Sequence, residues 1–225
     1  EFSLVPDLTV AQNITLGEEP ALGPRAFGLA NVLAKSAARN EARCLIDELG
    51  FEHADVMQAV KGPEGLLSER ELWAKYAERL PEKLQQRAMA ERPIELRPVT
   101  PIHPFVPEQS IPEQAVWVRS SGALPDAEAL HRYMLAYCSD FAFLPTALRP
   151  HGVTWANPAL QIASLDHAMW FHRPFRMDDW LLHVMHSPSA SGARGLVRGS
   201  VFSRDGKLVA STAQEGLIRT RGSRP

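Results

Sequence analysis

The sequence predicts an α+β fold in which an antiparallel sheet curls around one long helix. Two observations carry that expectation. Residues 126–141 set Leu130, Tyr133, Met134, Tyr137, Cys138 and Phe141 at helical spacing, a wide apolar stripe that a core must cover. Four strand-like segments follow, near 160–171, 179–187, 193–203 and 207–219. The last two are joined by "SRDGKL", whose Asp205-Gly206 is a two-residue hairpin signal. Such a helix, followed by strands that pair with their neighbours, belongs to the α+β class.

Bulk properties frame this reading. The 225 residues suffice for one large domain or two small ones, and 45% apolar with 22% charged residues is ordinary globular composition. A net charge of −2 gives no reason to expect nucleic acid or another polyanionic partner. Cys44 and Cys138 lie far apart in helical patterns and read as buried thiols of a reducing compartment. No apolar run is long enough for a membrane-spanning helix and no signal-peptide pattern opens the chain, so the expected location is the cytoplasm. The chain lacks an initiator Met, and residue 1 need not be a natural start.

The elements can be justified in order. Residues 1–50 read as mostly helical: Asp7 can cap "LTVAQNI", and Ser36 precedes a helix whose Leu45, Ile46 and Leu49 form a stripe ending at Gly50. Ser68 and Glu71 make a capping box, followed by Leu72, Trp73, Tyr76 and Leu80 at helical spacing. Residues 81–114 hold seven of the eighteen prolines and bracket one short strand, "IELRPV". That stretch reads as ordered connection, outside the core. "QAVWVRS" is a strand, and Asp126 then opens the long helix.

Several chemistries are absent. There is no phosphate-binding G-x-x-x-x-G-K-[ST] loop, no G-x-G-x-x-G fingerprint and no G-x-S-x-G nucleophile elbow. His167 and His172 fall on opposite sides of a strand, as do His183 and His186, so neither pair is expected to hold a metal; they read as structural or surface histidines. Three other polar residues stand out. Gln214 shares one strand face with Leu208, Ala210, Thr212, Gly216 and Ile218, where apolar side chains belong. It is either a core amide satisfied by backbone groups or an amide with a task. Asp140 follows Tyr133 by two helical turns, roughly 20° around the axis, and is expected near the buried face, where a carboxylate is costly unless paired or employed. Ser164 lies on the first strand after the helix. A carboxylate, a hydroxyl and an amide that converge could hold one water for attack on a carbonyl, the carboxylate taking its proton.

The segments "YCSDFAFLPTALRPHG", "QIASLDHAMWFHRPFRMDDWLL", "SASGARGLVRG" and "DGKLVASTAQEG" resemble, in order and spacing, the C-terminal half of type II acyl-CoA thioesterases. The similarity runs from "GFEHADVM" at Gly50 to "EGLIR", about 170 residues. The resemblance implies a hotdog fold, an antiparallel sheet wrapped around a central helix, and hydrolysis of fatty acyl-CoA to free fatty acid and CoA. It places the catalytic carboxylate on Asp140, the hydroxyl residue on Ser164 and the amide on Gln214. No metal or redox cofactor is implied, since CoA arrives with the substrate.

Members of that family begin with a first hotdog, for which this chain has no counterpart. In its place "EFSLVPDLTVAQNITLGEEP" and "AARNEARCLIDELG" resemble the helical subdomain of sugar-type ABC transporter ATPases. Walker and signature sequences are absent, so no ATPase activity is implied, and the chain reads as a fusion. The expected division is a helical segment 1–49, a helix-containing proline-rich connector 50–113, a hotdog 114–220 and a tail 221–225. A lone hotdog exposes its sheet, so homo-oligomerisation through the sheets is expected. The rival readings are a non-catalytic acyl-CoA-binding or assembly module and a rearranged gene product without selected function.

Overall fold

The computed structural model describes residues 60–80, 82–154 and 156–220. The helical reading of 1–49, its ATPase resemblance, Cys44 and the tail lie outside the described residues. The first described helix, α1 (Glu69–Ala74), opens with the expected capping box: Ser68 Oγ accepts from the Glu71 N–H, and the Glu71 carboxylate accepts from the Ser68 N–H. It is short, and a 3-10 turn at Ala77–Arg79 carries the chain past Leu80 instead of a continued helix. Helix α2 (Glu82–Met89) follows.

The strands are β1 (Ile94–Pro98), β2 (Glu113–Ser120), β3 (Leu160–Ser164), β4 (Ala168–Phe171), β5 (Leu181–Ser191), β6 (Arg194–Ser203) and β7 (Leu208–Thr220). They form one antiparallel sheet in the order β1-β2-β5-β6-β7-β3, with β4 also paired to β7. The connector is therefore partly sheet. Its β1 pairs with β2 from Ile94↔Ser120 to Pro98↔Val116, and Ile94 is buried among Val118, Leu135 and Leu181. An edge strand tolerates the proline that argued against a core role, because the missing N–H costs no ladder bond there.

The predicted long helix ends early, and a second helix forms just beyond its expected end. Helix α3 spans Glu128–Cys138 and α4 spans Phe143–Leu148, with a turn at 139–142 between them. Asp126 lies ahead of α3 and pairs with Arg176 rather than capping the helix. The stripe is also rotated from expectation. His131, Leu135 and Cys138 face the core, whereas Tyr133 and Tyr137 are 71% and 57% exposed. Aromatic rings at helical spacing marked a surface that has no cover within the described chain. The thiol of Cys138 is buried and unpaired, and burial pushes it up to about 12, so it is an inert core group.

The hairpin at Asp205-Gly206 forms with three loop residues rather than two. Ser203 N–H donates to Lys207 O, Gly206 N–H donates to Ser203 O, and Gly206 takes the left-handed conformation at φ +83°. Beyond it the register slips, Val201 facing Ala210 and Phe202 facing Leu208. Val209 and Ala210 are both buried in consequence, although alternation put Val209 on the polar side.

Both sheet faces are covered. On one, α3 and α4 pack through Leu135, Cys138, Phe143 and Ala147. On the other, Trp117, Trp180, Leu182 and Phe202 meet Val60 and Leu66, and Trp117 Nε1 donates to Lys61 O at 2.9 Å. Helix α4 lies unusually close to the strands. A Cβ on Gly195 would stand 2.9 Å from Ala147 Cβ, and one on Gly216 would run into Leu144 Cδ2. Gly216→Val should therefore cost about 1–3 kcal/mol through overpacking, although valine has the better strand propensity. A denaturant midpoint equal to the parent's would show that Leu144 gives way freely.

His183 is buried beside Phe143, with Nε2 at 3.2 Å from Thr212 Oγ1. Burial, and to a lesser degree the nearby His167, push its pKa down from 6.5 to about 3. The unfolded chain thus binds this proton below pH 6.5 while the fold refuses it until about pH 3. Stability should be complete above pH 6.5 and decline as pH falls toward 3. The upper part of that window lies above 3.8, the ordinary value for an Asp such as Asp178, which Arg176 holds lower still. Unfolding midpoints measured across it should flatten in His183→Asn; an unchanged slope would assign the proton uptake to another group.

Candidate active site

The site is built where the predicted strand 160–171 breaks. β3 pairs with β7 from Leu160↔Thr220 to Ser164↔Gly216, and β4 resumes at Ala168↔Ala213. Between them Leu165, Asp166 and His167 leave the ladder opposite Gln214 and Glu215. The backbone groups freed there are satisfied locally. Asp166 Oδ1 accepts from the Glu215 N–H at 2.6 Å, and Leu165 N–H donates to Glu215 O at 3.0 Å. The adjacent Asp166 and His167 in the middle of the strand-like run were the available signal for this break.

Gln214 lies on the inward face of β7, as its parity predicts, and is 1% exposed. It is not a core amide satisfied by backbone. Its Nε2 donates to Ser164 Oγ at 2.8 Å, and its Oε1 faces His167 Nδ1 at 2.5 Å. His167 Nε2 in turn lies 2.7 Å from Ser139 Oγ, which also stands 3.0 Å from Ala136 O on the last turn of α3. Phe143 meets the imidazole edge-on at 5.5 Å between centroids. One connected group therefore runs from Ser164 through Gln214 and His167 to Ser139.

Two of the three expected residues, Ser164 and Gln214, are thus brought into direct contact. Asp140 differs from expectation. It is exposed, in the turn next to Ser139, and the bonds of the Gln214 amide go to Ser164 and His167 rather than to its carboxylate. Extrapolating the helical period to position 140 failed because α3 ends at Cys138, and Ser139 takes the buried place instead. His167, expected to be structural or superficial, is exposed yet central to the group. His172, by contrast, contacts Ser211 Oγ at 2.8 Å, away from it.

A cavity of about 420 Å³ lies beyond the same turn, with Phe141 and Ala142 on its wall. Trp73, Tyr76, Leu96 and Leu148 add apolar surface. Arg149 also lines it; the residue is 4% exposed, and burial lowers its pKa below the usual guanidinium value. Among the described residues no helix is long and apolar enough to cross a membrane.

Comparison with known proteins places the chain in a family. The acyl-CoA thioesterase family model matches residues 83–217. Acyl-CoA thioesterase 2 of Haemophilus influenzae is 41% identical over 174 residues, covering 77% of this chain and 61% of that protein. Acyl-coenzyme A thioesterase 8 of Homo sapiens is 41% identical over 178 residues, 76% of this chain and 55% of its own length. The crystal structure of acyl-CoA thioesterase II TesB2 from Mycobacterium marinum matches with a TM-score of 0.54 at 36% identity, covering 72% of this chain and 55% of that one. The chain therefore spans between about half and three-fifths of the relatives it matches. With its curled antiparallel sheet packed on helices, the chain has a hotdog fold and belongs to the acyl-CoA thioesterase family.

Proposed function

We propose that the chain hydrolyses fatty acyl-CoA to free fatty acid and CoA through Asp140, Ser164 and Gln214. The observation that carries this reading is the buried Gln214 amide, tied to Ser164 at an exposed break in the sheet and linked through His167 to Ser139, the residue before Asp140. The names of the relatives support the substrate class. Water held by Ser164 and Gln214 attacks the thioester carbonyl carbon while Asp140 accepts its proton. The carbonyl oxygen carries the charge of the tetrahedral intermediate. On collapse the C–S bond breaks, and the CoA thiolate leaves and takes up the proton. The cavity beside Phe141 and Ala142 offers apolar surface for the acyl chain. A non-catalytic acyl-CoA-binding module is the second reading, favoured by the exposed position of Asp140 outside the hydrogen-bonded group. The unpaired thiol of Cys138 suits the cytoplasm.

Thioester hydrolysis on a series of acyl-CoA chain lengths, read as free thiol, tests the activity. Asp140→Asn should lower kcat by about 10²–10⁴ and leave acyl-CoA binding largely intact. Ser164→Ala and Gln214→Ala should each cost less, and their effects should not add, because both act on one water. An Asp140→Asn protein as fast as the parent would overturn the assignment. Binding without hydrolysis by the parent would favour the second reading.

We further infer that a second copy covers the exposed apolar surface. Leu165, Trp170 and Phe171 are 54%, 53% and 37% exposed on the short β3–β4 edge, and Tyr133 and Tyr137 stand exposed on α3. Sedimentation at micromolar concentration should find a dimer or larger species. Trp170→Asp should shift it toward monomer without unfolding. A folded, monomeric parent would rule this out.

A further inference from the structure

The amide of Gln214 has a defined polarity, and His167 sets it. A carbonyl oxygen offers no proton, so the 2.5 Å contact between Gln214 Oε1 and His167 Nδ1 requires the proton on Nδ1. The neutral ring then accepts at Nε2, where the Ser139 hydroxyl stands 2.7 Å away. Ser139 is 1% exposed, and its single proton goes to Nε2 at 2.7 Å rather than to Ala136 O at 3.0 Å, so the ring is held at both nitrogens although its face is open to solvent. With its oxygen engaged, Gln214 can turn only N–H groups toward Ser164 and the substrate. One of them meets Ser164 Oγ at 2.8 Å, which leaves the serine proton unspent.

We propose that His167 is a positioning residue that keeps Gln214 and Ser164 as hydrogen-bond donors toward the reacting thioester. The proposal rests on the reading of those two residues given above. Two donors are then available: the Ser164 O–H, fixed through Gln214, holds the attacking water, and the second amide N–H faces the oxygen that becomes negative as that water adds. Asp140 is the acceptor of the trio and receives the water's proton. A reversed amide would offer Oε1 to the serine proton and present a carbonyl to a developing anion, which would raise the barrier.

The ring tautomer tests this without reference to activity. Long-range proton–nitrogen correlation on the ¹⁵N-labelled chain, in mildly alkaline buffer, should show the Nδ1–H form for the signal that disappears in His167→Asn. An Nε2–H ring would reverse the amide and overturn the proposal. Kinetics supply the second arm. His167→Asn keeps an N–H donor near the place of Nδ1 and should stay within a few-fold of the parent kcat. His167→Leu removes it and should lose up to about 10²-fold in kcat with KM little changed. Equal kcat in the two variants, with both folded, would also overturn it. If Asp140→Asn leaves the rate unchanged while the tautomer is Nδ1–H, the hydrolytic reading fails and the orientation of Gln214 stands. If the parent does not hydrolyse thioesters, the tautomer alone decides.

Discussion

A primary amide taken out of water brings an acceptor and two donors that must all be answered, and Gln214 brings them into the inward face of β7. A continuous strand beside β7 would present only backbone groups already spent on the ladder. The break between β3 and β4 answers the acceptor and one donor by delivering an imidazole from the loop and a hydroxyl from one strand end. The cost of breaking the ladder is offset locally, because Asp166 accepts the Glu215 N–H. Local sequence, strand interruption and the polar group at the site are thus one arrangement seen at three levels.

Close packing of α4 connects that arrangement to the helices. Glycines on β6 and β7 let Ala147 and Leu144 descend onto the sheet. Phe143, at the start of α4, is fully buried and touches the rings of both His167 and His183. The turn 139–142 therefore has little freedom in height above the sheet. Ser139 reaches His167 from it, and Asp140 projects outward beside the same group. A shift of α4 would move the carboxylate relative to the amide, so fold stability and site geometry are coupled here.

The surface around the site is also unusual in composition. Aromatic side chains that a self-contained domain would turn inward are exposed on α3 and on the β4 edge. Leu165, Trp170 and Phe171 lie in or next to the break that faces Gln214. Desolvation would strengthen every hydrogen bond in the group, because the same contacts act in a lower dielectric.

Periodicity alone determined much of this molecule. The strand segments, the Ser68–Glu71 capping box, the turn at Gly206 and the inward parity of Gln214 all follow from local chemistry and alternation. The family motifs further pointed to Ser164 and Gln214 before any contact was known. Tertiary structure decided the rest. It ended α3 at Cys138, and so placed Ser139 inside and Asp140 outside. It turned Tyr133 and Tyr137 outward, because an apolar stripe specifies a covered face but not which neighbour covers it. It also made His167 a partner of Gln214, although 47 residues separate them. Sequence spacing carries local geometry well, but a hydrogen bond across a sheet depends on register and on where a strand breaks, and those are settled only when the whole sheet packs.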